Sequence, residues 1–94
     1  MHTLIITRHA GLVAWLAARG ITGPVLEQAE AADLAGRDVI GVLPFHLASQ
    51  AASVRVVDMP GLTREHRGRD LSPEEMDAAG AVLRRSVIRE EVLP

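Results

Sequence analysis

Leu4, Ile5 and Ile6 form a short unbroken apolar run near the start of the chain, followed by Thr7, Arg8 and His9. Such a run predicts a strand buried on both faces, as in parallel sheets. Leu12, Val13, Trp15 and Leu16 then recur at helical spacing, with Arg19 in the last turn and Gly20 as a stop signal. Gly23 and Pro24 restart the chain. Val25 to Gln28 reads as a second strand, although Leu26 to Ala35 is also rich in helix formers. Gly36 to Asp38 reads as a turn, and Val39 to Leu43 as a third strand interrupted by Gly41. A glycine inside a strand often marks close approach by a ligand or another backbone. Pro44 suits the first position of a helix over Phe45 to Ala52. Val54 to Val57 is the fourth strand and ends at Asp58.

Met59 to Leu71 shows no period and holds two glycines, one proline and three arginines, a loop of the kind that carries function. Ser72, Pro73, Glu74 and Glu75 then form a capping box with proline at the first helical position. The period of Met76, Ala79, Gly80, Leu83 and Val87 predicts one face of a final helix. Arg84, Arg85 and Arg89 near its end suit the helix dipole. Strands alternating with helices imply βαβ units, hence an α/β domain with a mainly parallel sheet. No repeat, low-complexity tract or internal boundary divides residues 1–94.

Composition narrows this picture. The 94 residues have room for one domain, and a 48% hydrophobic content excludes a disordered chain. Much of that content is alanine, which predicts a shallow core and favours a homodimer. The absence of cysteine excludes disulfides, thiolate metal sites and a cysteine nucleophile. No apolar run reaches the roughly 18 residues of a membrane span. Met1 to Thr7 enters a strand directly, without the basic flank of a signal peptide. A soluble, cytoplasmic protein with no membrane partner is expected. The net charge of −2 implies no general grip on long nucleic acid. All 10 basic residues are arginine, whose planar fork matches two phosphate oxygens, although coding bias also produces such a preference.

In open parallel sheets, ligands bind beyond the carboxyl ends of the strands. Thr7-Arg8-His9-Ala10-Gly11 and Leu43-Pro44-Phe45-His46 fall there, each at the start of a helix where free N–H groups favour an anion. Arg8 adds a charged donor, and His9 and His46 add groups of the type that titrates near neutrality. The combination suits a phosphate or phosphodiester. Either histidine could instead be an ordinary surface or capping residue, and Arg8 could pair with Asp58 or Asp38. Trp15 on an apolar helical face reads as core rather than as a base-stacking platform. The Arg64-Glu65-His66-Arg67-Gly68-Arg69-Asp70 cluster is either a solvated loop or an arm that closes over an anion. A metal site is not expected, because no two histidines share a helix at four-residue spacing and no carboxylate pair accompanies them.

Four stretches occur in a particular order: Thr7 to Gly11, Trp15, Val39 to Ala48, and Arg67 to Ser72. Together they resemble a family of small ancillary proteins encoded beside type III CRISPR systems. Its pattern runs Ser-Arg-His-Pro-Gly, a Trp, Gly-x-Leu-Pro-x-His-Leu-Ala, then Arg-Gly-Arg-Glu/Asp-Leu. Thr7 keeps the hydroxyl of the usual serine, and Ala10 replaces the usual proline. The resemblance implies a stand-alone ring nuclease related to CRISPR-associated Rossmann-like (CARF) domains, with a three-layer Rossmann-like fold. It implies binding of cyclic oligoadenylate, with cyclic tetra-adenylate the expected ring, and cleavage that switches off type III CRISPR signalling. A two-fold homodimer would match the two-fold symmetry of such a ring.

Related enzymes use no metal or other cofactor: the ribose 2′-hydroxyl attacks its own phosphate and leaves a 2′,3′-cyclic phosphate. On this reading Arg8 stabilises transition-state charge, and His46 or His9 moves protons. Thr7, Gly11, Gly41 and Pro44 shape the ligand site, and Arg67 and Arg69 hold phosphates. Three other readings stand beside it. The same pocket could sequester the messenger without cutting it. Strand-Arg-His at the N-terminus is also similar to the histidine phosphatases, although the chain is short for that fold and reads Arg8-His9-Ala10. A structural subunit of a CRISPR effector is the third.

Overall fold

The computed structural model describes residues 3–66 and 69–94. In chain order the elements are β1 (Thr3–Ile6), α1 (Ala10–Ala18), β2 (Val25–Leu26), α2 (Ala31–Leu34), β3 (Asp38–Ile40), α3 (Phe45–Ala48), β4 (Ser53–Asp58), α4 (Pro73–Ala78) and β5 (Val82–Ser86). A 3-10 turn, Arg64–His66, lies between β4 and α4. The strands form a five-stranded sheet in the order β2-β1-β3-β4-β5. The first four run parallel, and β5 is antiparallel to β4. The small α/β domain expected from the apolar runs is therefore present, with one antiparallel edge.

Strand alternation explains how the sheet is covered. Leu4, Ile6, Val39 and Val54 point to one face, where Leu34 of α2 and Ala48 of α3 pack on them. Ile5 and Ile40 point to the other, against Trp15 and Leu16 of α1 and Met76 of α4. These side chains are almost wholly buried, and the helices on both faces account for the continuous apolar runs. Trp15 is 2% exposed, and its Nε1–H donates to Asp77 Oδ1 at 2.8 Å. It is a core residue that ties α1 to α4.

The last helix is shorter than its period suggests. It ends at Ala78, because Gly80 takes a φ of 77° and closes a Schellman motif. Ala81 N–H donates to the Met76 carbonyl and Gly80 N–H to that of Asp77, both at 3.0 Å. Val82 to Ser86, expected in that helix, instead pair with β4 from Val54↔Ser86 to Asp58↔Val82. Arg84 and Arg85 therefore stand on an edge strand, where charge discourages further pairing. They also take the two carboxylates considered for Arg8. Arg84 Nε lies 2.9 Å from Asp58 Oδ2 and Arg85 Nη2 3.4 Å from Asp38 Oδ1.

Smaller differences concern element ends. β3 starts at Asp38 and stops before Gly41, and α3 is a four-residue turn with Pro44 as its N-cap. The ambiguous stretch after Pro24 splits into β2 and α2, the latter closed by a Glu30/Asp33 capping box.

Candidate functional site

β1 is flanked by β2 on one side and β3 on the other, so the chain leaves β1 and β3 in opposite directions. α1 then covers one face and α3 the other, and a crevice opens between the carboxyl ends of the two strands. A cleft of about 650 Å³ occupies this place. That is the size of a small-molecule or nucleotide site. Thr7, Arg8 and His9 enter it from β1, Glu27 from the end of β2, and Gly41 and Val42 from the end of β3. The segment after β4 closes the far side with Met59, Leu62, His66, Arg69 and Asp70.

Gly41 lets the strands approach this closely. Its φ is 152°, and a Cβ there would lie 2.5 Å from the Ile6 carbonyl oxygen. The neighbour that requires this glycine is thus the backbone of β1. Gly11 is held by similar crowding at the start of α1, where a Cβ would collide with the Leu71 carbonyl oxygen.

The N-terminus of α1 already carries an anion. Asp70 Oδ2 accepts the Ala10 N–H and Oδ1 accepts the Gly11 N–H, each at 3.0 Å. Asp70 Oδ1 also lies 3.9 Å from His9 Nδ1. The helix-start groups expected to greet a ligand are therefore spent on a carboxylate from the same chain. The Thr7 hydroxyl is likewise used locally, since its Oγ1 accepts the His9 N–H at 3.0 Å and fixes the turn out of β1. Arg69 is drawn to α4, with Nη2 2.6 Å from Glu75 Oε2. That contact, after the Ser72 backbone N–H, holds the Glu75 carboxyl below the usual carboxylate range. Among the described residues, no carboxylate lies within ion-pair distance of Arg8, which is exposed in the cleft.

The residues expected to meet are only partly brought together. Arg8, His9, Thr7, Gly41 and Arg69 line the cleft, while His46, Pro44 and Gly11 are not among its lining residues. His46 sits on α3, which covers the opposite face from α1, and its Nδ1 lies 2.6 Å from Glu90 Oε2 of the C-terminal segment. Arg67 lies outside the described residues. A one-turn helix such as α3 has little aligned dipole to attract an anion. Sequence reasoning missed Glu27 as a cleft residue and Asp70 as the cap of α1. The first follows a strand of only two residues, and the second caps a helix 60 positions away. Among the described residues, no three His, Asp or Glu side chains converge as a metal site would require, and no helix is long and apolar enough to cross a membrane.

Comparison with known families gives a match. The family model described as "Putative CRISPR-associated protein (Cas_VVA1548)" covers residues 4–89, which includes every strand but the first residue of β1. No curated protein and no solved structure matches the chain significantly.

Proposed function

The chain belongs to this family of CRISPR-associated proteins, and from that premise we propose that its cleft binds a cyclic oligoadenylate and opens the ring. The observation that carries the reading is the cleft between β1 and β3, which a histidine and an arginine without a carboxylate partner among the described residues enter side by side. Arg8 holds a phosphodiester and stabilises the charge that gathers on its oxygens in the phosphorane-like transition state. The ribose 2′-oxygen attacks the adjacent phosphorus and the 5′-oxygen leaves. The products are a 2′,3′-cyclic phosphate at one end and a 5′-hydroxyl at the other. His9 exchanges the proton lost by the first oxygen or gained by the second. No metal is needed for that balance. His46, tied to Glu90 outside the cleft, takes no part.

A cyclic tetranucleotide is larger than one such cleft and has two-fold symmetry. It is held between two copies of the chain, each offering Arg8 and His9 to one half of the ring. Val42 and Phe45 support this arrangement: they are 82% and 80% exposed, and Val42 itself lines the cleft. Apolar side chains so exposed beside a site are suited to contact with a second copy.

The test is incubation of the protein with cyclic tri-, tetra- and hexa-adenylate in EDTA, followed by mass analysis. Linear products ending in 2′,3′-cyclic phosphate are expected. Arg8→Ala should lose about 10²–10³-fold in rate, and His9→Ala about 10²–10⁴-fold. His46→Ala should stay near wild type. Rings that bind but remain intact would replace cleavage by sequestration; rings that do not bind would overturn the reading.

A further inference from the structure

Most charged groups in the cleft are already satisfied by the protein. Asp70 is held by two backbone N–H groups and Arg69 by Glu75. Arg8 and Glu27 are the exceptions: both line the cleft and neither has a hydrogen-bonding or ion-pair partner among the described residues. They are not paired with each other within 4.0 Å. Their relative placement is fixed by the sheet. Ile6 pairs with Leu26, and the Thr7 N–H donates to the Leu26 carbonyl at 2.9 Å. Glu27 therefore leaves β2 beside the turn where Arg8 leaves β1.

A ligand that answers both groups must carry an anion for the guanidinium and a hydroxyl hydrogen for the carboxylate. A phosphate alone would be repelled by Glu27. A phosphorylated sugar with a free hydroxyl meets both, because an ionised carboxylate only accepts hydrogen bonds. In open parallel α/β sheets, an acidic residue after the second strand is well placed to take a ribose hydroxyl, while the phosphate lies near the first turn. Glu27 is 16 to 20 residues beyond the turn formed by Thr7 to Gly11, as that arrangement requires.

We propose that Glu27 accepts a hydrogen bond from a ribose 2′-hydroxyl of the bound nucleotide other than the one that attacks, and makes the cleft selective for ribonucleotides over their 2′-deoxy counterparts. The proposal rests on the reading of the cleft as a nucleotide site. It assigns Glu27 a part in recognition, separate from the chemistry of Arg8 and His9. The carboxylate discriminates because the deoxy ligand leaves it facing the phosphate-bearing ligand with nothing to accept.

Binding decides this, because a deoxy ring cannot be cut by 2′-attack and rates would be uninformative. Affinities of cyclic tetra-adenylate and its all-deoxy analogue are measured by calorimetry for wild type, Glu27→Ala and Glu27→Gln. Wild type should favour the ribose ring by about 10- to 100-fold, the span of a charge-assisted hydrogen bond. Glu27→Ala should bring the ratio close to one, and Glu27→Gln, which keeps a neutral acceptor, should retain part of it. Equal affinities in wild type overturn the proposal. So does a ratio preserved in Glu27→Ala, including a rise in both affinities together, which would mark Glu27 as a repulsive charge only. If neither ring binds, the cyclic-oligonucleotide reading fails. Adenosine 5′-monophosphate against its 2′-deoxy form then decides Glu27. Preference for the ribose form that Glu27→Ala removes supports the proposal. Equal binding, or none, overturns it.

Discussion

At the scale of single residues, the charged side chains divide by the end of the sheet they occupy. Asp38 opens β3, at the end away from the cleft, and is 7% exposed. The hydroxyl of Ser53 donates to its carboxylate, and that bond, with Arg85 and Arg55 nearby, keeps its pKa below the ordinary value despite burial. A carboxyl lowered in the folded state adds stability that is complete above its unfolded pKa and lost as pH falls through the folded one. Urea midpoints of the wild type should therefore drop as pH falls below about 4. Ser53→Ala should show a shallower acid drop, because the lowering loses its largest cause. Equal acid limbs for the two proteins would show that Ser53 does not set the Asp38 carboxyl. Arg8, His9 and Gly41 could be picked out from their positions beside apolar runs. Asp70 could not, since its partners are N–H groups that carry no side-chain signature.

At the scale of elements, apolar runs located β1 and β3, because burial on both faces leaves an uninterrupted hydrophobic stretch, whereas β2 is an exposed two-residue edge and Arg55 interrupts β4. The same logic misplaced Val82 to Ser86. That strand is poorly covered on both faces, since Arg84 and Arg85 point to opposite sides and only Leu83 is half-buried, and its residues continued the helical period of Met76 and Ala79 by coincidence. The informative residue was Gly80, whose left-handed backbone stops α4 and turns the chain toward β4. An L side chain in that conformation costs about 1–2 kcal/mol. Gly80→Ala should lower unfolding free energy by that amount in denaturant titrations, with the far-ultraviolet spectrum of the folded state unchanged. A gain in stability instead would mean the turn tolerates another backbone shape. α2 and α3 are single turns, and packing on Leu4, Val39 and Val54 rather than helix propensity maintains them.

For the molecule as a whole, the order of strands determined where the cleft lies; the runs along the chain showed strands alternating with helices but not that order. Which groups face one another across it depended on contacts between distant segments. His46 was drawn away by Glu90 and Glu27 brought in by β2 pairing, neither of which leaves a local pattern. If the proposed two-fold dimer forms through Val42 and Phe45, Phe45→Glu should shift sedimentation from dimer to monomer while leaving the fold intact. An unchanged sedimentation coefficient would remove that surface from the assembly. The Asp70 cap has a further consequence for how the chain matures. α1 is made early, but its first N–H groups wait for a carboxylate about sixty residues downstream. A nascent chain that has completed β1 to β4 still lacks that cap, which is also the carboxylate beside His9, and the wall supplied by His66 and Arg69. Cleft and cap thus arise in one late closure, so a prematurely terminated chain ending before Asp70 carries Arg8 without the enclosure that would let it hold a ligand.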